Sequence, residues 1–123
     1  MTNRRILIVE DNEELRRLYK EVLSANGFEV IEATDGQEAI DLALIQRPAL
    51  VLLDLMLPRQ GGLGVLRVMR SLPELKLMPV IVLTALPNPE YRAQAEGRVQ
   101  GYFLKTEIKP GKLVEKAREL LKE

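Results

Sequence analysis

The chain has 123 residues, of which 46% are hydrophobic, and this size and composition suit one domain with one hydrophobic core. It contains no cysteine and no histidine, which excludes disulfide bonds and thiol catalysis and disfavours a zinc site. The 18 basic and 18 acidic residues cancel, so the net charge gives no reason to expect direct binding of nucleic acid.

Five stretches of strand length follow one another along the chain: residues 6–9, 28–33, 50–53, 80–83 and 102–104. The first is too short for the core of a signal peptide or for a membrane span, so we expect a cytoplasmic protein without membrane contact. Stretches 6–9, 50–53 and 80–83 are continuously apolar, which indicates burial on both faces of a sheet. Stretch 28–33 carries Glu29 and Glu32 and is predicted to be an edge strand.

Helical patterns separate these strands. The residues expected to face the core are Leu15, Leu18, Tyr19, Val22 and Leu23 in the first helix, Ala39, Ile40, Ala43 and Leu44 in the second, Leu63, Leu66 and Met69 in the third, and Leu113, Ala117, Leu120 and Leu121 in the last. Asn26 and Gly27 should end the first helix, and Pro110 should begin the last. Residues 88–97 form the weakest helical pattern, and we expect a mobile element there.

Strands that alternate with helices predict a parallel sheet with right-handed crossovers and helices on both faces. The expected architecture is a three-layer α/β sandwich. No internal repeat, linker or low-complexity tract divides the sequence, so residues 1–123 are expected to form one domain.

Four of the five strands are followed by residues that can bind a cation or an oxyanion. They are Glu10 with Asp11, Asp54, Thr84 and Lys105. In open α/β sheets, ligands bind beyond the carboxyl ends of the strands, so these residues are expected to converge in one pocket.

Three crowded carboxylates repel one another, and a divalent cation would relieve that repulsion. An all-oxygen ligand set favours Mg²⁺, which keeps some of its waters for a phosphate group. Lys105 adds a positive charge from the protein, and Thr84 adds a hydroxyl. A carboxylate nucleophile, a metal, an ammonium and a hydroxyl are the groups needed for phosphoryl transfer to an aspartate.

The sequence resembles the receiver domains of two-component response regulators, the CheY-like superfamily, over essentially its whole length. The resemblance lies in residues 6–11 (ILIVED), 53–58 (LDLMLP), 84–85 (TA) and 102–105 (YFLK), and residues 33–39 (ATDGQEA) also fit the family. It implies a flavodoxin-like, doubly wound (βα)5 fold with strand order 2-1-3-4-5.

The resemblance also implies a role for each site residue. Asp54 would be the phosphoacceptor. Asp11 would bind Mg²⁺ directly, Glu10 would act through a metal-bound water, and Asp54 and the backbone carbonyl of Met56 would complete the protein ligands, with Mn²⁺ able to substitute. Lys105 and Thr84 would bind the phosphoryl oxygens, and Tyr102 would turn inward as Thr84 moves.

The implied function is a signalling switch and not an enzyme beyond assisting its own phosphorylation and slow self-dephosphorylation. Because the chain has no histidine, the phosphoryl group must come from a separate histidine kinase, a phosphotransfer protein or a small acyl phosphate. Phosphorylation would shift the face formed by the fourth helix, fifth strand and fifth helix toward an unknown downstream protein. Met56 and Leu86 would flank the phosphoryl group, and because neither can orient an attacking water, we predict slow hydrolysis.

Two positions depart from the family pattern. Gly61 stands where many receivers have aspartate, and Thr106 follows Lys105 where the family usually has proline, so a cis peptide is not expected there and the loop is predicted to sit differently. The second departure keeps one alternative open, which is a receiver-like interaction module that works without phosphorylation.

Other α/β classes do not fit the sequence. A flavin site of the flavodoxin type needs a phosphate loop rich in hydroxyls and glycine after the first strand, where Glu10 and Asp11 would repel the phosphate. A P-loop needs a glycine-rich run before its lysine, and Lys105 follows Tyr-Phe-Leu. A phosphatase of the haloacid-dehalogenase kind needs a second aspartate two residues after the nucleophile, where this chain has Met56.

Overall fold

Strands and helices alternate along the whole described chain. The computed structural model describes residues 3–58 and 61–121. These residues form five strands, β1 (Arg5–Val9), β2 (Glu29–Ala33), β3 (Leu50–Asp54), β4 (Val80–Thr84) and β5 (Gly101–Leu104). They also form five helices, α1 (Glu13–Ala25), α2 (Gly36–Gln46), α3 (Gly61–Ser71), α4 (Pro89–Ala95) and α5 (Pro110–Leu120).

The strands form one parallel sheet in the order β2-β1-β3-β4-β5, which confirms the predicted fold class. β2 is an edge strand, as its mixed composition indicates, and β5 is the other edge. The register pairs Val9 with Leu53, Asp54 with Leu83 and Thr84 with Leu104. The carboxyl ends of β1, β3, β4 and β5 therefore lie nearly level. The loops that follow these strands therefore open at the same edge of the sheet.

Each face of the sheet has its own hydrophobic core. The core on one face combines strand residues with α2, α3 and α4, and the core on the other face combines strand residues with α1 and α5. Leu18 on α1 is 41% exposed, so the prediction that it faces the core is wrong, whereas Val114 on α5 is buried although the helical pattern did not single it out. The other helix residues predicted to face the core are buried or pack partly against it.

Polar side chains and glycine define the helix ends. Asn12, Asp35 and Asn88 accept hydrogen bonds from backbone N–H groups in the first turns of α1, α2 and α4. α1 ends at Ala25 with Asn26 as its C-cap, and Gly27 follows with φ of +89°, which glycine adopts readily. α4 has only seven residues, in keeping with its weak pattern. Within the described ranges, no helix is both long and apolar enough to cross a membrane.

Candidate functional site

Glu10 and Asp11 lie in the loop between β1 and α1. The Glu10 backbone N–H donates to the carbonyl of Ala33 on β2, which draws this loop onto the sheet. The Glu10 side chain is buried, and its Oε2 accepts a hydrogen bond of 3.2 Å from the backbone N of Asn12. Asp11 is exposed, so the loop presents one buried and one open carboxylate.

Asp54 is the last residue of β3 and is only 3% exposed. Its Oδ1 accepts a hydrogen bond of 2.9 Å from the backbone N of Met56, which fixes the orientation of the carboxylate. The start of α3 packs against this turn so closely that a Cβ on Gly62 would lie 2.4 Å from the Asp54 carbonyl oxygen. Gly61, the residue that departs from the family pattern, has φ of +69°, a conformation that favours glycine.

Lys105 joins the two buried carboxylates. Its Nζ lies 2.6 Å from Oε1 of Glu10 and 3.0 Å from Oδ2 of Asp54. Its backbone N–H donates to the carbonyl of Thr84, which ties the end of β5 to the end of β4. The described residues contain no cis peptide bond, and Lys105 reaches Asp54 although Thr106, not proline, follows it.

The electrostatics of the pocket reflect its burial. Burial raises the pKa of Glu10 to about 7, the Asp54 carboxylate also raises it, and the hydrogen bond from Lys105 offsets these effects only in part. The pKa of Lys105 is raised as well, because its bonds to Glu10 and Asp54 outweigh the effect of burial. The pocket thus favours a bound positive charge.

Carboxylate oxygens of Glu10, Asp11 and Asp54 lie within 4.8 Å of one another, which is close enough for one metal ion to contact all three residues. Hard oxygen donors of this kind suit Mg²⁺. One ammonium cannot neutralise three carboxylates, so the donor set fits a divalent cation.

Thr84 is the last residue of β4, and Tyr102 lies on the neighbouring strand β5, opposite Val82. Thr84 is fully buried, and its Oγ1 accepts a hydrogen bond of 3.3 Å from the backbone N of Leu86. The Tyr102 hydroxyl is buried without a hydrogen-bond partner, and the guanidinium of Arg92 on α4 lies 5.1 Å from the centre of its ring. Three clefts of about 230–250 Å³ border both Tyr102 and Arg92.

Met56 and Leu86 are 43% and 45% exposed, so both apolar side chains reach the surface near the two strand ends that they follow. The sequence patterns did not identify two arginines that contact site residues. Arg16 on α1 donates to the Glu10 carbonyl, and Arg92 stacks on Tyr102. No local signal could have shown these contacts, because both arginines lie on helices whose charged residues mostly face solvent.

A doubly wound parallel sheet with three carboxylates and a lysine at its carboxyl edge defines the class of CheY-like signal receivers. The chain belongs to the response regulator receiver domain family, whose sequence model matches residues 6–118. Domains of this family are regulators, not classical enzymes. They are phosphorylated by histidine kinases, act on downstream partners and generally bind Mg²⁺.

Individual relatives agree with this assignment. The polar-differentiation response regulator DivK of Brucella anthropi is 42% identical over 102 residues, which cover 81% of this chain and 82% of DivK. The transcriptional regulatory protein SrrA of Staphylococcus aureus is 39% identical over 118 residues, 95% of this chain, and the chain spans about half (47%) of SrrA. A CheY-like receiver structure from Methanospirillum hungatei has a TM-score of 0.90 and 27% identity, with 98% of this chain and 95% of that chain covered.

Proposed function

We propose that this receiver domain is a phosphorylation-dependent switch whose acceptor is Asp54. The observation that carries the proposal is the contact of 3.0 Å between the Lys105 ammonium and the buried Asp54 carboxylate, beside oxygens of Glu10 and Asp11. A buried carboxylate nucleophile, a fixed cation and an all-oxygen set of metal ligands are the groups that phosphoryl transfer requires.

Four residues would hold Mg²⁺, or Mn²⁺ in its place. Asp11 and Asp54 would contribute carboxylate oxygens directly, Glu10 would act through a metal-bound water, and the backbone carbonyl of Met56 would complete the protein ligands. The exposed position of Asp11 supports this assignment, because it leaves the pocket open to solvent and to a phosphoryl donor. A bound ion supplies positive charge that neutralises the incoming phosphoryl group.

The donor would be the phosphohistidine of a histidine kinase or phosphotransfer protein, since the chain has no histidine of its own. A carboxylate oxygen of Asp54 attacks the phosphorus while the phosphorus–nitrogen bond breaks. The electron pair of that bond stays on the donor imidazole, which takes up a proton. Lys105 Nζ, already at Asp54, is placed to bind a phosphoryl oxygen of the resulting acyl phosphate.

The response to phosphorylation would begin at Thr84. A phosphoryl oxygen would compete with the long bond from Leu86 N for the Thr84 hydroxyl, and Tyr102 would turn inward as the hydroxyl moves. The Tyr102 hydroxyl has no hydrogen bond to lose, and clefts border its ring. Because α4 contacts this ring through Arg92, the movement would shift the face built from α4, β5 and α5 toward a downstream protein.

Phosphorylation by acetyl phosphate with Mg²⁺ tests the proposal. We expect mass spectrometry to show one added phosphoryl group on the wild-type chain, none on Asp54→Asn, and one on the control Asp41→Asn, which removes an exposed carboxylate of α2. Beryllium fluoride with Mg²⁺ is a second probe of the same pocket, because it mimics a bound phosphoryl group.

The alternative is a receiver-like interaction module that works without phosphorylation. Wild-type chain that gains no phosphoryl group from acetyl phosphate or from a histidine kinase in the presence of Mg²⁺ would overturn the proposed switch and leave this alternative. The contact between Lys105 and Asp54 argues against it, since Thr106 does not keep the lysine from the acceptor.

A further inference from the structure

Arg16 on α1 connects the acidic loop with the edge strand β2. Its Nη1 donates to the Glu10 carbonyl oxygen at 3.0 Å, and its Nε lies 3.3 Å from Oε1 of Glu32. Lys20, one turn further along α1, lies 3.2 Å from the other oxygen of Glu32. The Arg16 side chain is only 17% exposed, so water competes weakly for these contacts.

The Glu10 carbonyl belongs to the peptide group that joins the two acidic residues of the loop. Because a peptide group is planar, a fixed carbonyl also fixes the orientation in which the chain enters Asp11. The backbone N–H of Arg16 donates to the carbonyl of Asn12 as well, and Asn12 N donates to Oε2 of Glu10. The Arg16 guanidinium therefore holds the first residue of the loop 10–12, while the last residue is held by a helical backbone bond that any residue at position 16 would make.

The geometry points to Arg16 as a positioning residue for Mg²⁺, with Glu32 orienting its guanidinium. This inference rests on the proposed function, since it concerns metal binding at the pocket of Glu10, Asp11 and Asp54. A loop that is held in place before the metal arrives loses less freedom on binding, and partners that orient metal ligands commonly change affinity by tenfold or more. Arginine suits the role because its planar guanidinium can donate in two directions at once.

Calorimetric titration of the full chain with MgCl₂ tests the inference. We expect Arg16→Ala to weaken Mg²⁺ binding about tenfold, the lower end of the range for such partners. The matched control is Arg17→Ala on the same helix, which removes an exposed i,i+4 pair with Glu13 and should leave the affinity unchanged. Circular dichroism and urea unfolding in EDTA establish that each variant is folded. A purely structural role would lower metal-free stability without changing the affinity of the folded chain.

A double-mutant cycle tests the part assigned to Glu32. Glu32→Gln should weaken Mg²⁺ binding in the same direction, and Arg16→Ala combined with Glu32→Gln should bind no more weakly than Arg16→Ala alone, because Glu32 acts through the arginine. Equal Mg²⁺ affinities of wild type and Arg16→Ala, or additive effects in the cycle, would overturn this inference and leave the proposed function standing. Absence of Mg²⁺ binding by the wild-type chain would overturn the proposed function together with it.

Discussion

Glu10 lies almost fully buried beside Asp54 and Lys105, and its pKa of about 7 follows from that burial. A proton on Glu10 competes with a metal ion for the pocket, so we expect Mg²⁺ affinity to rise with pH through 7. Ionisation near this pKa predicts a change of about tenfold between about pH 6 and pH 8. Calorimetry at the two pH values measures it, and Glu10→Gln should bind more weakly and without this pH dependence.

The same group affects stability without metal. Because the folded-state pKa of Glu10 is raised above the ordinary value of 4.5, its contribution to stability is complete below pH 4.5 and is lost as pH rises through about 7. The free energy of unfolding in EDTA should therefore fall by about 3 kcal/mol between pH 4.5 and about 7. Titration of other groups over the same range reduces the observed fall. A flat pH profile in wild type, or an equal fall in Glu10→Gln, would contradict the assignment.

Met56 reaches the surface two residues after Asp54, the proposed acceptor, and carries no group that can orient water. An amide at this position could hydrogen-bond an attacking water, so Met56→Asn should hydrolyse the acyl phosphate several-fold faster than wild type. The decay of phosphorylated chain, followed by mass spectrometry, measures the rate. Met56→Leu is the matched control, and a variant Met56→Asn that decays no faster than this control would refute the prediction.

At the scale of single residues, the sequence predicted which side chains gather at the carboxyl edge, because strand ends of a parallel sheet share an edge. It did not predict their mutual contacts. Lys105 lies between Glu10 and Asp54, which are 44 residues apart in the chain, and this arrangement depends on three loops at once. Thr106 shows the same limit, since its effect on the reach of Lys105 could not be judged from sequence.

The packing of α3 against the end of β3 depends on one glycine. A Cβ on Gly62 would meet backbone atoms of Asp54 and Leu55 at 2.4–2.5 Å, and moving these backbone atoms costs more energy than moving a side chain. Gly62→Ala should therefore lower the free energy of unfolding by about 2 kcal/mol or more.

Gly111 in the first turn of α5 provides the control. A Cβ there would meet no atom within 4 Å, so Gly111→Ala should be neutral or stabilise the chain by up to about 1 kcal/mol. Urea unfolding of both variants measures the difference. Equal stabilities would show that α3 can move away from the turn after Asp54.

At the scale of elements, the number, type and order of the helices and strands follow from the sequence, because apolar periodicity is a local property. The prediction of core-facing residues is wrong where a helix has more apolar residues than its buried face can accommodate. Leu18 is one of five positions on α1 predicted to face the core yet is substantially exposed, because β2 and α5 do not cover that side of α1. The short α4 matches its weak pattern because Ala95 is its one buried residue.

Across the molecule, Arg70 joins parts of the chain that are distant in sequence. From the end of α3, its guanidinium donates at 2.8–2.9 Å to the Arg98 carbonyl between α4 and β5, and at 2.9–3.0 Å to the carbonyls of Lys76 and Met78 before β4. Burial lowers the pKa of Arg70, which shows that the contacts are partly shielded from water. The arginine thus connects α3 with the loop between α4 and β5 and with the segment before β4.

Arg70→Ala should lower the free energy of unfolding by about 2–3 kcal/mol, because charged hydrogen bonds are lost and their carbonyls are left without this donor. Arg67→Ala on the exposed face of the same helix should change it by less than about 0.5 kcal/mol. Urea unfolding gives the free energies, and hydrogen exchange should rise in residues 97–100 of Arg70→Ala. Equal stability of the two variants would show that the hydrogen bonds of Arg70 contribute little to the free energy of unfolding.

The sequence by itself determined the α/β architecture, the inner strands, the helix ends and the residues that gather at the carboxyl edge. These features follow from periodicity, capping residues and the rule that parallel strands end together. The tertiary structure alone decided that α1 and α5 share one face, that Lys105 bridges Glu10 and Asp54, that the pKa of Glu10 reaches about 7, and that Arg16 and Arg70 connect separate loops. Each of these depends on distances of a few ångströms between residues far apart in the chain, and such distances arise only when all the elements pack together.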